Sequence, residues 1–205
     1  MKRCILILMS CFVLISNNVF TQVDDRAVIP MGVTLNSILR LNIVSGGNIE
    51  FNFNTIEQYR AGIPTSSQYE TRFTVASSVD WDVEMVAEDA ALQPTSYGDT
   101  ASFSGNLSLD NIGYHLTANS GTDLAGGETH GIRLSDNNPA ALSNTAALIL
   151  ESQGDNAGGV EKNDFTIHWQ CGTQIGDMNG ASILDQNVPA ARYTTNVFLR
   201  LKPAD

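Results

Sequence analysis

The chain has 205 residues, with 11 Lys and Arg against 22 Asp and Glu, a formal net charge of −11 and only 16% charged residues overall. So acidic a balance argues against nucleic acid and against anionic membrane surfaces as partners. Sparse charge combined with much Ser, Thr, Asn and Gly points to a β-protein with polar faces and long turns.

Met1-Lys2-Arg3 is a basic start, and Cys4 to Ile15 is almost unbroken in apolar residues. These are the n-region and h-region of a secretory signal peptide. The run falls short of the roughly 20 residues that span a bilayer, so cleavage is expected rather than anchoring. A cut after Val19-Phe20-Thr21 makes residues 1–21 the signal peptide and leaves no transmembrane segment in the mature chain. Leu8-Met9-Ser10-Cys11 is similar to a lipoprotein box, but the apolar run before it is too short and more apolar residues follow it. Lipidation of Cys11 is therefore not expected. The mature chain keeps Cys171 alone, which excludes an intramolecular disulfide. Its charge is 11 − 2 = 9 Lys and Arg against 22 Asp and Glu, or −13.

Residues 22–32 form an N-terminal arm, and residues 33–205 a single β-sandwich domain. The arm carries Asp24-Asp25-Arg26, then apolar Ala27, Val28 and Ile29, then Pro30. Pro30 cannot sit in a central strand, so the segment is a flexible arm or an edge strand. A free arm of this kind can add as a strand to the sheet edge of another copy. Pairing with its own sandwich is the alternative, and both stay open at this point.

From Val33 to Phe53 two alternating runs flank Ser45-Gly46-Gly47. Val33, Leu35, Leu39, Leu41 and Ile43 share one face of the first run. Ile49, Phe51 and Phe53 alternate with Asn48, Glu50 and Asn52 in the second. A period of two marks strands with one buried face, and the Gly-Gly between them signals a hairpin. Thr55-Ile56-Glu57-Gln58 has the form of a capping box, with Gly62 and Pro64 as the stop. The expectation is a short helix at Ile56 to Ala61, crossing between two sheets.

Tyr69 to Ser77 alternates again, and after Ser78-Val79-Asp80 the residues Trp81, Val83, Met85 and Ala87 form the inner face of the next strand. Asp82, Glu84 and Glu88 line its outer side. Asp89 to Ser104 is expected as a polar connection. Leu107, Leu109, Ile112, Tyr114 and Leu116 change phase at Asp110-Asn111, which predicts a bulge or tight turn there. Asn119 to Thr129 reads as a Gly-rich loop before the short run Gly131 to Leu134. Ala140 to Glu151 fits a loop with a helical turn and then a strand at Ala146 to Ser152. Gln153 to Asn163 is turn material. Asp164 to Cys171 then sets Phe165, Ile167, Trp169 and Cys171 inward and Thr166, His168 and Gln170 outward. Arg192 to Lys202 is the last strand, with Tyr193, Val197, Leu199 and Leu201 on one face and Phe198 on the other. All six prolines fall outside the strands so placed.

Short strands divided by turns, with one early helix, give an all-β class: an immunoglobulin-like antiparallel β-sandwich. Its core residues are Leu39, Leu41, Phe51, Phe53, Phe73, Trp81, Phe165, Trp169, Tyr193 and Leu199. The early alternating runs, Trp81-Asp82-Val83, the Asp164-Phe165-Thr166-Ile167-His168-Trp169 strand and Pro189-Ala190-Ala191-Arg192-Tyr193-Thr194 before the terminal strand carry a resemblance. The chain resembles the immunoglobulin-like pilin and spore-coat-U-like secreted surface domains of Gram-negative bacteria, mainly in its C-terminal third. It departs from them in lacking a cysteine pair and in having Ala191-Arg192 where Gly is commoner. The resemblance implies a secreted subunit that assembles with itself or other surface proteins.

Chemistry-bearing patterns are sparse. His115, His130 and His168 lie far apart with no metal-ligand spacing. No nucleophile elbow or phosphate-binding loop is present. Cys171 points inward by alternation while His168 points outward, so a buried thiol is expected rather than a nucleophile. Asp80, Asp82 and Glu84 share a face, which reads as a solvated row rather than a glycosidase dyad or cation site. The 154–164 loop has oxygen ligands and glycines without the order of a calcium-binding loop. Trp81 and Trp169 point inward, and Tyr59, Tyr97 and Tyr114 are too scattered for a sugar platform. The expected function is a non-enzymatic structural or adhesive cell-surface subunit without metal or cofactor, with an extracellular carbohydrate-binding module as the alternative.

Overall fold

The structure, a computed structural model, describes residues 27, 29–95, 105–119, 136–152, 154 and 156–204. The expected signal peptide, most of the expected arm including Val28, Tyr97, His130 and the run at 131–134 lie outside the described residues. The chain divides into two units, Met1–Leu35 and Asn36–Asp205. In the first, the described residues have no regular secondary structure, and Ile29, Met31, Val33 and Leu35 are exposed.

The second unit is an all-β antiparallel sandwich with one short α-helix among the described residues. Its strands are β1 (Leu39–Ser45), β2 (Glu70–Ser77), β3 (Trp81–Ala87), β4 (Ala91–Thr95), β5 (Leu107–Ser108), β6 (Ile112–Ala118), β7 (Ala140–Ala141), β8 (Ala147–Leu150), β9 (Asp164–Cys171), β10 (Arg192–Thr194) and β11 (Val197–Pro203). One sheet runs β1-β2-β9-β6-β7, and two three-stranded sheets run β10-β4-β5 and β11-β3-β8. A short connection joins β3 to β4, and another joins β10 to β11, so the same two chain segments continue from one small sheet into the other.

One hydrophobic core joins all three sheets. Phe73, Val75, Trp81, Val83, Leu116, Ile149, Phe165 and Ile167 are essentially inaccessible in it. Phe73 and Phe165 lie 5.5 Å apart, and Trp81 meets Phe165 edge-on at 5.9 Å. Each such side chain contributes about 1.5–3 kcal/mol through burial. Trp169 is also buried, while Leu39, Leu41, Phe51, Tyr193 and Leu199 are partly buried against the cluster. Phe53 instead packs on Tyr59, at 5.3 Å.

The expected hairpin does not form. β1 pairs with β2, with Leu41 opposite Val75 and Ile43 opposite Phe73. The segment after Gly47 makes no ladder. Its alternation survives only as packing, with Phe51 stacked on Tyr69 at 4.4 Å. Gly46 has φ +68°, and a Cβ there would sit 1.8 Å from the Glu70 carbonyl oxygen. The glycine is needed for that close approach rather than for a two-residue turn. Of the first run only Leu39 and Leu41 face the core, and Val33, Leu35 and Ile43 are exposed.

The helix, α1 (Ile56–Ala61), has the expected capping box. The Gln58 amide donates to Thr55 Oγ1 (3.3 Å), and Gln58 Oε1 accepts from the Thr55 amide (3.1 Å). It stands between β1 and β2, neighbours in one sheet, and so is not a crossover between sheets.

The phase change at Asp110-Asn111 is a 3-10 turn over Leu109–Asn111. The strand expected near Ala146 is β8, but the residues before it form a bend rather than a helical turn. The polar connection after Asp89 contains β4, so Pro94 lies in a strand, as does Pro203 at the end of β11. Both positions tolerate the missing N–H. β5 reaches only Ala91 and Leu92 of β4, and β11 is an edge strand. The terminal strand breaks at Thr195-Asn196 into β10 and β11, and Phe198 is exposed.

Candidate functional site

β9 is central in the five-stranded sheet, and its alternation assigns two faces. Phe165, Ile167, Trp169 and Cys171 enter the core, while Thr166, His168 and Gln170 occupy the opposite face. That second face is largely covered. Gly113 of β6 has no Cβ, which makes room for Met178: a Cβ there would meet Met178 Sδ at 2.3 Å. The Gly172 amide donates to the Asn111 carbonyl and the Asn179 amide to the Asp110 carbonyl, folding the segment after β9 back along the sheet.

Ladder register brings polar side chains together here. Glu70, His168 and His115 stand opposite one another across β2, β9 and β6, and Arg72, Thr166 and Thr117 form the next row. The two imidazoles stack, with centroids 4.6 Å apart and planes 11° from parallel. His168 Nδ1 lies 3.2 Å from Glu70 Oε1, and His168 Nε2 lies 2.8 Å from Thr117 Oγ1. A carboxylate only accepts, so neutral His168 carries its proton on Nδ1, and Nε2 accepts from the Thr117 hydroxyl.

His115 is buried. Its Nδ1 is 3.9 Å from Asp136 Oδ1 and has no hydrogen-bond partner among the described residues. Burial, reinforced by His168, pushes its pKa below the ordinary 6.5, and Asp136 opposes the shift. In the neighbouring row Arg72 Nε donates to Asp164 Oδ1 (2.9 Å), its Nη2 bonds Asp164 Oδ2, and Asn119 Nδ2 donates to Asp164 Oδ1 (3.0 Å). The Arg72 hydrogen bond is the main cause holding the Asp164 carboxyl below its usual range.

The remaining sequence candidates have structural partners. Burial raises the Cys171 thiol to about 12, which leaves it inert as a nucleophile. Asp80 Oδ1 accepts from the Ala157 amide (3.1 Å), Asp82 Oδ1 from the Ser152 amide (2.9 Å), and Glu84 pairs with Lys202 (2.8 Å). Asp82 is buried, so the row is not the solvated face expected of it. Asn156 pins the 154–164 loop to the core: its Oδ1 accepts from the Trp81 amide, and its carbonyl accepts from Trp81 Nε1, both at 2.9 Å. Among the described residues no group of three or more His, Cys, Asp or Glu could hold a metal ion. Tyr114 is buried and Tyr59 packs on Phe53.

Sequence spacing missed the histidine pair, because the pairing of β6 with β9 alone joins His115 to His168. The available signal was phase: both histidines alternate with core residues and so fall on the same side of their strands. No known protein-family model matches the chain, and no curated protein matches it either.

Proposed function

We propose that this chain is a secreted, non-enzymatic structural or adhesive cell-surface subunit, pilin-like in assembling with itself through strand edges. The observation that carries this reading is the arm. Ile29, Met31, Val33 and Leu35 recur with a period of two and are 80%, 91%, 82% and 89% exposed. That is the pattern of a strand with one apolar face, extending Ala27, Val28 and Ile29 further than the sequence alone suggested. The sandwich offers places for such a strand, since β1 ends the five-stranded sheet and β11 ends a smaller one. Main-chain hydrogen bonds to an edge give affinity, and alternate side chains give register. Export is supported by the basic start and short apolar run of residues 1–21.

Deleting residues 22–35 from the mature chain tests the reading. The truncated protein should keep its melting temperature and sediment as a monomer, at concentrations where the full mature chain forms oligomers or fibres visible by negative stain. A full mature chain that stays monomeric at high concentration, or a deletion that unfolds the sandwich, overturns it.

A further inference from the structure

The geometry points to Thr117 as an activated hydroxyl that takes up an acyl group from a neutral carboxylic ester, a stoichiometric modification independent of the assembly reading. Thr117, His168 and Glu70 form a hydroxyl–imidazole–carboxylate relay with successive distances of 2.8 and 3.2 Å. A nucleophile and base within hydrogen-bond reach, with the base oriented by a third group, is the arrangement that activates a hydroxyl for acyl transfer. The three residues come from three adjacent strands, β6, β9 and β2, so the sheet fixes their spacing. His115 stacks flat on His168 and sets the plane of the ring. The relay is also reachable: the side chains of His168 and Glu70 are 19% and 35% exposed, and Thr117 is half-buried.

Thr117 Oγ1 attacks the ester carbonyl carbon while its proton passes to His168 Nε2. The tetrahedral adduct collapses, the bond from carbon to the alcohol oxygen breaks, and the imidazolium returns the proton to that oxygen. The products are O-acyl-Thr117 and the free alcohol, with His168 neutral again. No redox step is involved. The cation in the Thr117 row, Arg72, is already bound by Asp164, which is why a neutral ester suits the site better than an anionic one.

The probe is p-nitrophenyl acetate, added to the purified chain with peptide mapping by mass spectrometry. We expect a burst approaching one equivalent of p-nitrophenolate and an acetyl group on Thr117. Thr117→Ser should keep the burst and Thr117→Val should lose it. His168→Gln should slow it by on the order of a hundredfold or more. The charged groups around the His168 imidazole are Glu70 on β2, His115 on β6, Asp136 before β7 and the Arg72–Asp164 pair. Thermal melts establish that each variant is folded. Acetylation confined to Lys162, Lys202 or the amino terminus overturns the proposal, as does an undiminished burst in Thr117→Val. If Thr117→Val fails to fold, the wild-type map and the His168→Gln rate still decide it.

Discussion

His115 is an imidazole that the fold keeps uncharged. It is 7% exposed, stacked on His168, with Nδ1 out of hydrogen-bond reach of Asp136. Its folded pKa lies below the ordinary 6.5, so below neutrality the unfolded chain binds more protons at this position than the folded one. Stability from this group is therefore full above pH 6.5 and lost as pH falls through the depressed folded value. Asp164 adds a second loss at lower pH, since its folded pKa lies below 3.8 and its stabilisation disappears as that carboxylate takes up a proton. Denaturant melts from pH 7.5 down to 5 should show falling stability, and His115→Gln should flatten that slope while leaving the deeper acid transition in place. An unchanged slope in His115→Gln would show that other groups carry the first transition.

At the scale of elements, Gly46 and Gly47 separate a hairpin from the ladder that forms. A two-residue hairpin turn depends on both glycines. In the β1–β2 pairing only Gly46 is constrained, by φ +68° and by the Glu70 carbonyl oxygen, 1.8 Å from where a Cβ would stand. For Gly47 the nearest atom, Ile43 Cγ2, is 3.9 Å from the equivalent point. Gly46→Ala should cost about 2 kcal/mol or more in urea unfolding, and Gly47→Ala less than about 0.5 kcal/mol. Equal costs would restore the hairpin. The contrast shows what the chain makes legible. Alternation located β2, β3 and β9 and put Phe73, Trp81 and Phe165 on their inner faces, and the capping box placed α1, because each signal is local. Pairing is not local. Ile49, Phe51 and Phe53 alternate as strand residues do, yet among the described residues they join no ladder, although one edge of β1 is left open. The second face of β9 was illegible for the same reason: Met178 and the segment that covers it return from outside the alternating pattern. The Glu70–His168–Thr117 relay depends on three strands in register, and no spacing within one of them encodes it.

Over the whole molecule the charge is far from balanced, at −11 for the chain and −13 without the two basic residues of the first segment. Copies of so acidic a protein repel one another at low ionic strength, over a Debye length of about 10 Å at 0.1 M salt and about 30 Å at 0.01 M. The contacts proposed for assembly are of another kind: apolar side chains at Ile29, Met31, Val33 and Leu35, and backbone pairing along an edge. Neither depends on opposite charges meeting. Screening should therefore remove the repulsion and leave the attraction, so association of the mature chain should strengthen between about 0.01 and 0.3 M salt. Sedimentation equilibrium across that range measures the trend. Met31→Asp should weaken association at every salt concentration by placing a carboxylate on the apolar face of the arm. Lys202→Ala should change it little, because Lys202 is already paired with Glu84 within one copy. Association that weakens as salt rises would mean that charge pairs hold the copies together, and the arm would then have to be set aside as the joining element.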